Sequence, residues 1–379
     1  MKSNFKFYFS RFLFSMVLIS CAAQAEPVTT CDEVVGHFQT QHLGGMSLCD
    51  LQIRYRIAIE QLKRSGIENP LQIGNVIGPR FINMPDWSKY LAENGDSEFT
   101  AWRVYKPSPR TWGNWIKAAA IIDDEKTENV FMGKNIKDIQ TWILALHAMA
   151  LHKLYAVPNG QYRADVEEII PLHSVKDAYP VKDILAIANT PYFSKRHRKK
   201  LMNFVPRLCN ERQSQAPVPS AEAGAVPEAF QFKHNPGDVS EPAKACGDLT
   251  MAIAGEVVEQ MDKWTEYMKS QFHNLSLNPE SVDVVAFAAK AQQWFVVIHP
   301  FIDGNGRTSR LMMDFILRKA GLPTPVLDDQ NRDFFTTQEE WADLVGKGMI
   351  NTVQALEACV NDPSATGCKV VSSAPPPQQ

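Results

Sequence analysis

The chain has 379 residues, 45% hydrophobic and 21% charged, with a formal net charge of -3. That length suffices for one large or two modest globular domains with real cores. A balance this near neutral leaves no charge footprint for nucleic acid or an anionic membrane surface, so no nucleic-acid partner is expected.

Residues 1–25 differ in kind from the rest. Lys2, Lys6 and Arg11 precede the apolar run 12–20, and Ala23, Gln24 and Ala25 form a small-x-small exit, the pattern of an export signal. Leu18, Ile19, Ser20 and Cys21 also resemble the box after which a lipoprotein is cleaved and its cysteine acylated. The expectation is an exported product, periplasmic or secreted, or alternatively an outer-membrane lipoprotein. A membrane partner is expected only if Cys21 is lipidated.

Seven cysteines occur, and either processing route removes or modifies Cys21. The others are Cys31, Cys49, Cys209, Cys246, Cys359 and Cys368, an even set that implies disulfides in an oxidising compartment. Neighbour pairing (31 with 49, 209 with 246, 359 with 368) is the simplest arrangement, each bridge contributing about 2 to 4 kcal/mol. No cysteine or histidine cluster has zinc spacing, so no structural metal is expected.

Apolar residues recur at helical spacing over 29–60 and 138–154. Leu48, Leu51, Tyr55, Ile59 and Leu62 mark the first helix, with Gly66 as its stop; Ile139, Ile143, Leu146 and Leu151 mark the second. Trp87, Trp102, Trp112 and Trp115 between them read as core. The basic run 195–200, KRHRKK, reads as a solvated helix face, with a phosphate or target-docking patch as the alternative. Residues 213–229, rich in Pro, Ala, Ser and Gln, cannot bury much and read as a linker. The Pro-rich end reads as a disordered tail.

A heavily apolar helix follows, with Asn278 as N-cap and Pro279 as first residue. Val285, Phe287, Ala288, Phe295 and Val297 occupy most of its circumference, so it is buried on several sides. It must end near His299, because Pro300 disfavours the α conformation in the residue before it. The chain then reads IHPFIDGNGRTSR over 298–310, and a second helix begins near Asn305.

This arrangement has a chemistry. Gly304 and Gly306 let backbone amides approach a ligand, and unsatisfied amides at a helix start form an anion site. Arg307 and Arg310 are three apart, so both project from one side of the first turn as forks for phosphate oxygens. Asp303 offers hard oxygens suited to Mg²⁺ beside substrate phosphates. His299 can accept a proton near neutral pH. Taken singly, each has a bland reading: a capped helix end, a lone GxG, two solvated arginines. Together they describe metal-assisted phosphoryl or nucleotidyl transfer.

The stretch HPFIDGNGRTSR resembles the Fic-domain signature HPFx(D/E)GNGRxxR, matched at every specified position from His299 to Arg310. The resemblance is dense over 279–323 and extends more loosely over 140–360. It implies a mainly α protein: a Fic-type helical core with a small β-hairpin flap, joined to an additional helical N-terminal region. The expected organisation is a signal at 1–25, a helical region at 26–135, a Fic domain at 136–360 with an insertion or linker at about 165–229, and a tail at 361–379.

The implied activity is AMPylation, transfer of AMP from ATP to a Tyr, Thr or Ser hydroxyl of a target protein, with Mg²⁺ or Mn²⁺ as cofactor and a target outside the producing cell. In that resemblance His299 is the general base and Asp303 the metal ligand. Gly304, Asn305 and Gly306 line the anion hole, Arg307 and Arg310 hold the β- and γ-phosphates, and Pro300 and Phe301 are structural. The flap candidates are the GQYR segment, with Gly160, Tyr162 and Arg163, and the FQFK segment, with Phe230 and Phe232; the alternative is two unrelated surface turns. No (S/T)xxxE(G/N) inhibitory helix is found; the nearest stretch, 29–34, has Val34 at the last position. Alternative readings are transfer of UMP, phosphocholine or phosphate, removal of AMP, or a surface binding module built on an idle core.

Overall fold

The computed structural model describes residues 42–80 (except 44), 84–94, 109–122, 130–152 (except 132 and 133), 160–163, 169–171, 207–208, 245–246, 248–250, 254–277 and 281–370 (except 335). The export-type segment, the basic run 195–200, the linker 213–229, Phe230, Phe232, Trp102, Cys31 and Cys209 lie outside them.

Two short strands, β1 (His42–Leu43) and β2 (Met46–Ser47), pair antiparallel. Helix α1 (Leu48–Arg64) follows, so the helical pattern read from residue 29 starts only at Leu48 among the described residues. The side chain of Ser47 fixes that start by accepting from the Asp50 amide at 3.0 Å. Gly66, at φ +94°, ends it, with its N–H bonded to Lys63 O and that of Ile67 to Leu62 O, as expected for a left-handed C-terminal glycine.

The remaining α-helices among the described residues are α2 (Gly74–Ile77), α3 (Met84–Asn94), α4 (Pro109–Ile122), α5 (Ile136–Ala150), α6 (Val257–Leu277), α7 (Val284–Ile298), α8 (Asn305–Lys319) and α9 (Gln338–Asn361). Asn278 and Pro279 fall outside the described residues. Helix α7 begins later than they imply, at Val284, because the carboxylate of Asp283 caps it by accepting from the Ala286 amide.

Helix α7 packs against α6, α8 and α9, while α5 lies against α4, α6 and α8. This is why α7 is apolar around most of its circumference. Trp264 of α6 sets its ring edge-on to Phe295 and donates its indole N–H to Ala291 O at 2.8 Å, so a large buried side chain leaves no polar atom wanting. Phe131, Phe272 and Phe315 form a second aromatic cluster in the same core.

A smaller core joins the two ends of the described chain. Ala58, Leu62, Ile73, Val76 and Leu356 surround the disulfide Cys359–Cys368. Residues 362–370, read from sequence as tail, instead fold back: Gly74 N–H bonds Lys369 O, Asn75 N–H bonds Gly367 O, and Ile73 bridges Val370. Cys49 is disulfide-bonded as well. A buried ion pair joins the amino-terminal region to α8, with Arg80 donating to both oxygens of Asp314 at 2.6 and 2.8 Å.

The expected β-hairpin flap does not appear among the described residues. Gly160–Arg163 form an irregular turn, and the Arg163 amide already donates to Pro300 O, so this segment is used as a support and not as a strand. Strands β3 (Ile169–Pro171) and β6 (Asp248–Thr250) pair antiparallel, as do β4 (Arg207–Leu208) and β5 (Ala245–Cys246). Each pair joins segments distant in sequence.

Candidate nucleotide-transfer site

The end of α7 sets the first functional group. His299 is its C-cap, at φ 50° and ψ 58°, the one positive-φ non-glycine among the described residues. For an L-residue this left-handed conformation costs roughly 1 to 2 kcal/mol, so neighbouring contacts must hold it. Its own amide bonds Phe295 O, and its Nδ1 lies 3.1 Å from Val296 O. A carbonyl can only accept, so Nδ1 carries the proton and the lone pair falls on Nε2. Burial pushes the imidazole pKa down to about 4; the bond to Val296 opposes this and Arg163 nearby reinforces it. At neutral pH His299 is an unprotonated acceptor.

Phe301 anchors the loop that follows. It is fully buried, stacks on the His147 ring at 3.6 Å between centroids, and meets Phe295 and Tyr162. Asn305 clasps the same residue, its side-chain amide donating to Phe301 O and its carbonyl oxygen accepting from Phe301 N–H at 2.8 and 2.9 Å. Its side chain is therefore turned into the loop, which leaves its backbone facing the helix start.

Helix α8 begins with Gly304 as N-cap, at φ +80°, and no side chain caps it. The first-turn amides and the positive end of the helix dipole are thus available to an anion. Gly304 also answers a packing demand, because a Cβ there would come within 2.6 Å of Leu151 Cδ1. At Gly306 a Cβ would crowd Arg310 Nη1 at 3.2 Å. In sequence these glycines answer only the close approach of backbone to ligand; their neighbours add a second reason.

Asp303 accepts from the Gly304 amide and lies 3.3 Å from Arg307 through both carboxylate oxygens. Arg310 is drawn further in: its Nε is buried without a hydrogen-bond partner, and burial pushes its pKa down to about 10, with Asp333 opposing the shift. It stays charged at neutral pH, and its Nε is a donor suited to an added acceptor. No group of three or more His, Cys, Asp or Glu side chains able to hold a metal occurs among the described residues. A cation at Asp303 would therefore complete its shell with phosphate oxygens and water, the usual habit of Mg²⁺. Both implied groups fit the donors present.

Two supports escaped sequence reading in whole or part. His147 sits in the Ile139, Ile143, Leu151 stripe at four-residue spacing, and a histidine in an apolar stripe was the available signal. The Gly160 amide donates to its Nδ1 at 2.9 Å, so its Nε2 carries the proton and donates to Asp303 O at 2.9 Å. Burial pushes His147 down to about 4. Arg163, read as a flap residue, instead donates from Nε to His299 O at 2.6 Å and from Nη2 to Ile298 O at 3.2 Å.

Residues 229–317 match the Fic/DOC family. Over 78 residues, 21% of this chain and 14% of the relative, the sequence is 42% identical to a protein adenylyltransferase Fic of Drosophila persimilis. It is 39% identical over 77 residues to a protein adenylyltransferase Fic of Nematostella vectensis, covering 20% of this chain and 17% of that one. Each alignment thus spans less than a fifth of the relative's length. A Fic-domain signaling protein of Bacteroides thetaiotaomicron aligns structurally over 83% of this chain and 92% of its own at 14% identity and TM-score 0.37. Fic-1 of C. elegans aligns over 84% and 72% at 15% identity and TM-score 0.41. The chain, mainly helical in its described residues, carries a Fic/DOC family domain distantly homologous to Fic adenylyltransferases.

Proposed function

We propose that this chain transfers AMP from ATP to the hydroxyl of a Tyr, Thr or Ser on a target protein. The observation that carries the reading is the neutral His299, its lone pair on Nε2, one short loop ahead of a helix start that no side chain caps. The matched relatives being protein adenylyltransferases supports it.

In the proposed reaction the target hydroxyl oxygen attacks the α-phosphorus, the bond between the α-phosphorus and the bridging oxygen breaks, and pyrophosphate leaves. The hydroxyl proton passes to His299 Nε2. The amides of the first turn of α8 receive phosphate oxygens, and Arg307 and Arg310 bind the distal phosphates. Asp303 would hold Mg²⁺ or Mn²⁺, which supplies neutralisation of the phosphate charge. Arg307, now beside Asp303, would trade that contact for phosphate.

The reaction is proposed to take place outside the producing cell, on an effector's target. The export-type start of the chain and the Cys359–Cys368 disulfide support this placement. With no match to the inhibitory-helix pattern, control by compartment or partner is the accompanying proposal.

The test is incubation of the protein with Mg²⁺, a panel of labelled nucleotides and a lysate of candidate target proteins. The expected result is label from ATP on protein hydroxyls, lost in His299→Ala at unchanged thermal stability. Label from UTP or a phosphocholine donor instead would redirect the transferred group. Undiminished labelling by His299→Ala would remove the assigned base.

A further inference from the structure

The left-handed conformation of His299 raises the question of what holds it. Pro300 explains why α7 must stop but has no N–H to donate to the turn. The last carbonyls of a helix lack internal partners, and here the final one, Ile298 O, and the two that follow it all meet one residue. Arg163 reaches Ile298 O and His299 O with two arms of its guanidinium, and its main-chain amide takes Pro300 O at 2.9 Å. Three successive carbonyls around the strained residue are thus held by a single side chain and its backbone.

The chemistry suits this use. A guanidinium is a planar fork whose donors diverge at fixed angles, so it can span neighbouring carbonyls that a lysine ammonium cannot. A cation at a helix C-terminus is favoured by the helix dipole. Arg163 is only 2% exposed, and a buried charge persists only where its donors are satisfied. Its own position is set by Gly160, which at φ +73° lies so close to α5 that a Cβ would meet Leu144 O at 3.1 Å. The Gly160 amide in turn holds His147, which braces the far side of the same loop at Asp303 O.

The bonds divide the work. The start of α8 is held by Asn305, His147 and the packing of Leu151 on Gly304, whereas the three carbonyls at His299 are held by Arg163. We propose that Arg163 is a positioning residue for the transfer reaction, holding His299 in its left-handed conformation so that Nε2 meets the substrate hydroxyl. This inference rests on the transfer reading above, and it separates two functions of one loop: Arg163 governs the placement of the base and leaves the phosphate site intact. A purely structural role would not separate them.

The test uses Arg163→Lys and Arg163→Gln in the full chain. For both variants, binding of a non-hydrolysable ATP analogue with Mg²⁺ is expected to stay within roughly threefold of wild type, since the phosphate-binding groups are untouched. The turnover number for labelling should fall roughly 100-fold with nucleotide KM within about threefold, the size of effect a misplacement near 1 Å produces. Hydrogen exchange over 296–304 should quicken roughly tenfold while 305–319 stays unchanged. Loss of nucleotide affinity in step with turnover, or unchanged turnover and exchange in folded variants, overturns the proposal. Failure of both variants to fold also overturns it, because Arg163 would then support the core at large. If wild type labels nothing, the transfer reading fails, and the exchange measurement still decides whether Arg163 holds the His299 turn.

Discussion

Replacing Gly304 by alanine separates the two demands on that glycine. The backbone there is left-handed at φ +80°, and an added Cβ would stand 2.6 Å from Leu151 Cδ1 and 3.0 Å from two further atoms of the same side chain. Leu151 is itself fully buried, so it cannot swing into solvent to relieve the contact. The conformation costs roughly 1 to 2 kcal/mol for a non-glycine, and overpacking adds typically about 1 to 3 kcal/mol. Gly304→Ala should therefore destabilise the protein by about 2 to 5 kcal/mol, read from urea midpoints at constant slope. In a Leu151→Ala background the steric part disappears and the left-handed part remains. Gly304→Ala should then cost only about 1 to 2 kcal/mol, which gives a coupling of about 1 to 3 kcal/mol. The same cost in both backgrounds would refute the packing argument and leave ligand approach as the sole reason for the glycine.

Further outcomes follow from the buried groups. His147 and His299 both have pKa values near 4 in the folded state against 6.5 for the free side chain, with burial as the main cause. The unfolded chain thus binds more protons between those values, so stability should fall as pH drops from about 6.5 towards 4, by up to roughly 3 kcal/mol for each histidine. Urea titrations of His147→Gln across that window should show a shallower slope than wild type. The proposed transfer should keep its base down to about pH 5 and lose rate as pH approaches 4, the His299 value, in a pH–rate profile. Asp314→Asn or Arg80→Met, each leaving half of a buried ion pair, should cost about 3 to 5 kcal/mol, whereas joint replacement by Met and Leu should be near neutral by denaturant unfolding. Cys359→Ser should lower stability by about 2 to 3 kcal/mol, the value for so short a closed loop, with the loss centred on the small core shared by Leu62 and Leu356.

Much of the candidate site's local geometry can be read directly from the sequence because it is local. His299, Pro300, Asp303, Gly304 and the two arginines lie on one helix end, one loop and one helix start, and nearest-neighbour rules govern all three. The burial of α7, the start of α8 at Asn305 and the Cys359–Cys368 pairing follow from patterns of the same short range. Helix α7 starts at Val284 because Asp283, a capping residue as good as Asn278, stands next to the first buried turn.

The structure decided what depends on residues far apart in the chain. Arg163 turns from a flap candidate into the support of His299, and its carbonyl partners lie more than a hundred positions away. His147 is an apolar-stripe anomaly in sequence, and its tautomer is defined only once Gly160 and Asp303 are placed on either side of it. Arg80 gains a partner through contact with α8, and residues 367–370 are held through contact with Ile73, Gly74 and Asn75. Sequence by itself determined which donors, acceptors and charges the 299–310 loop carries, since residue type and spacing specify donors, charge and chain reversal. Only the tertiary structure decided what holds that loop in shape, since a buried hydrogen bond between distant segments leaves no periodic mark on either.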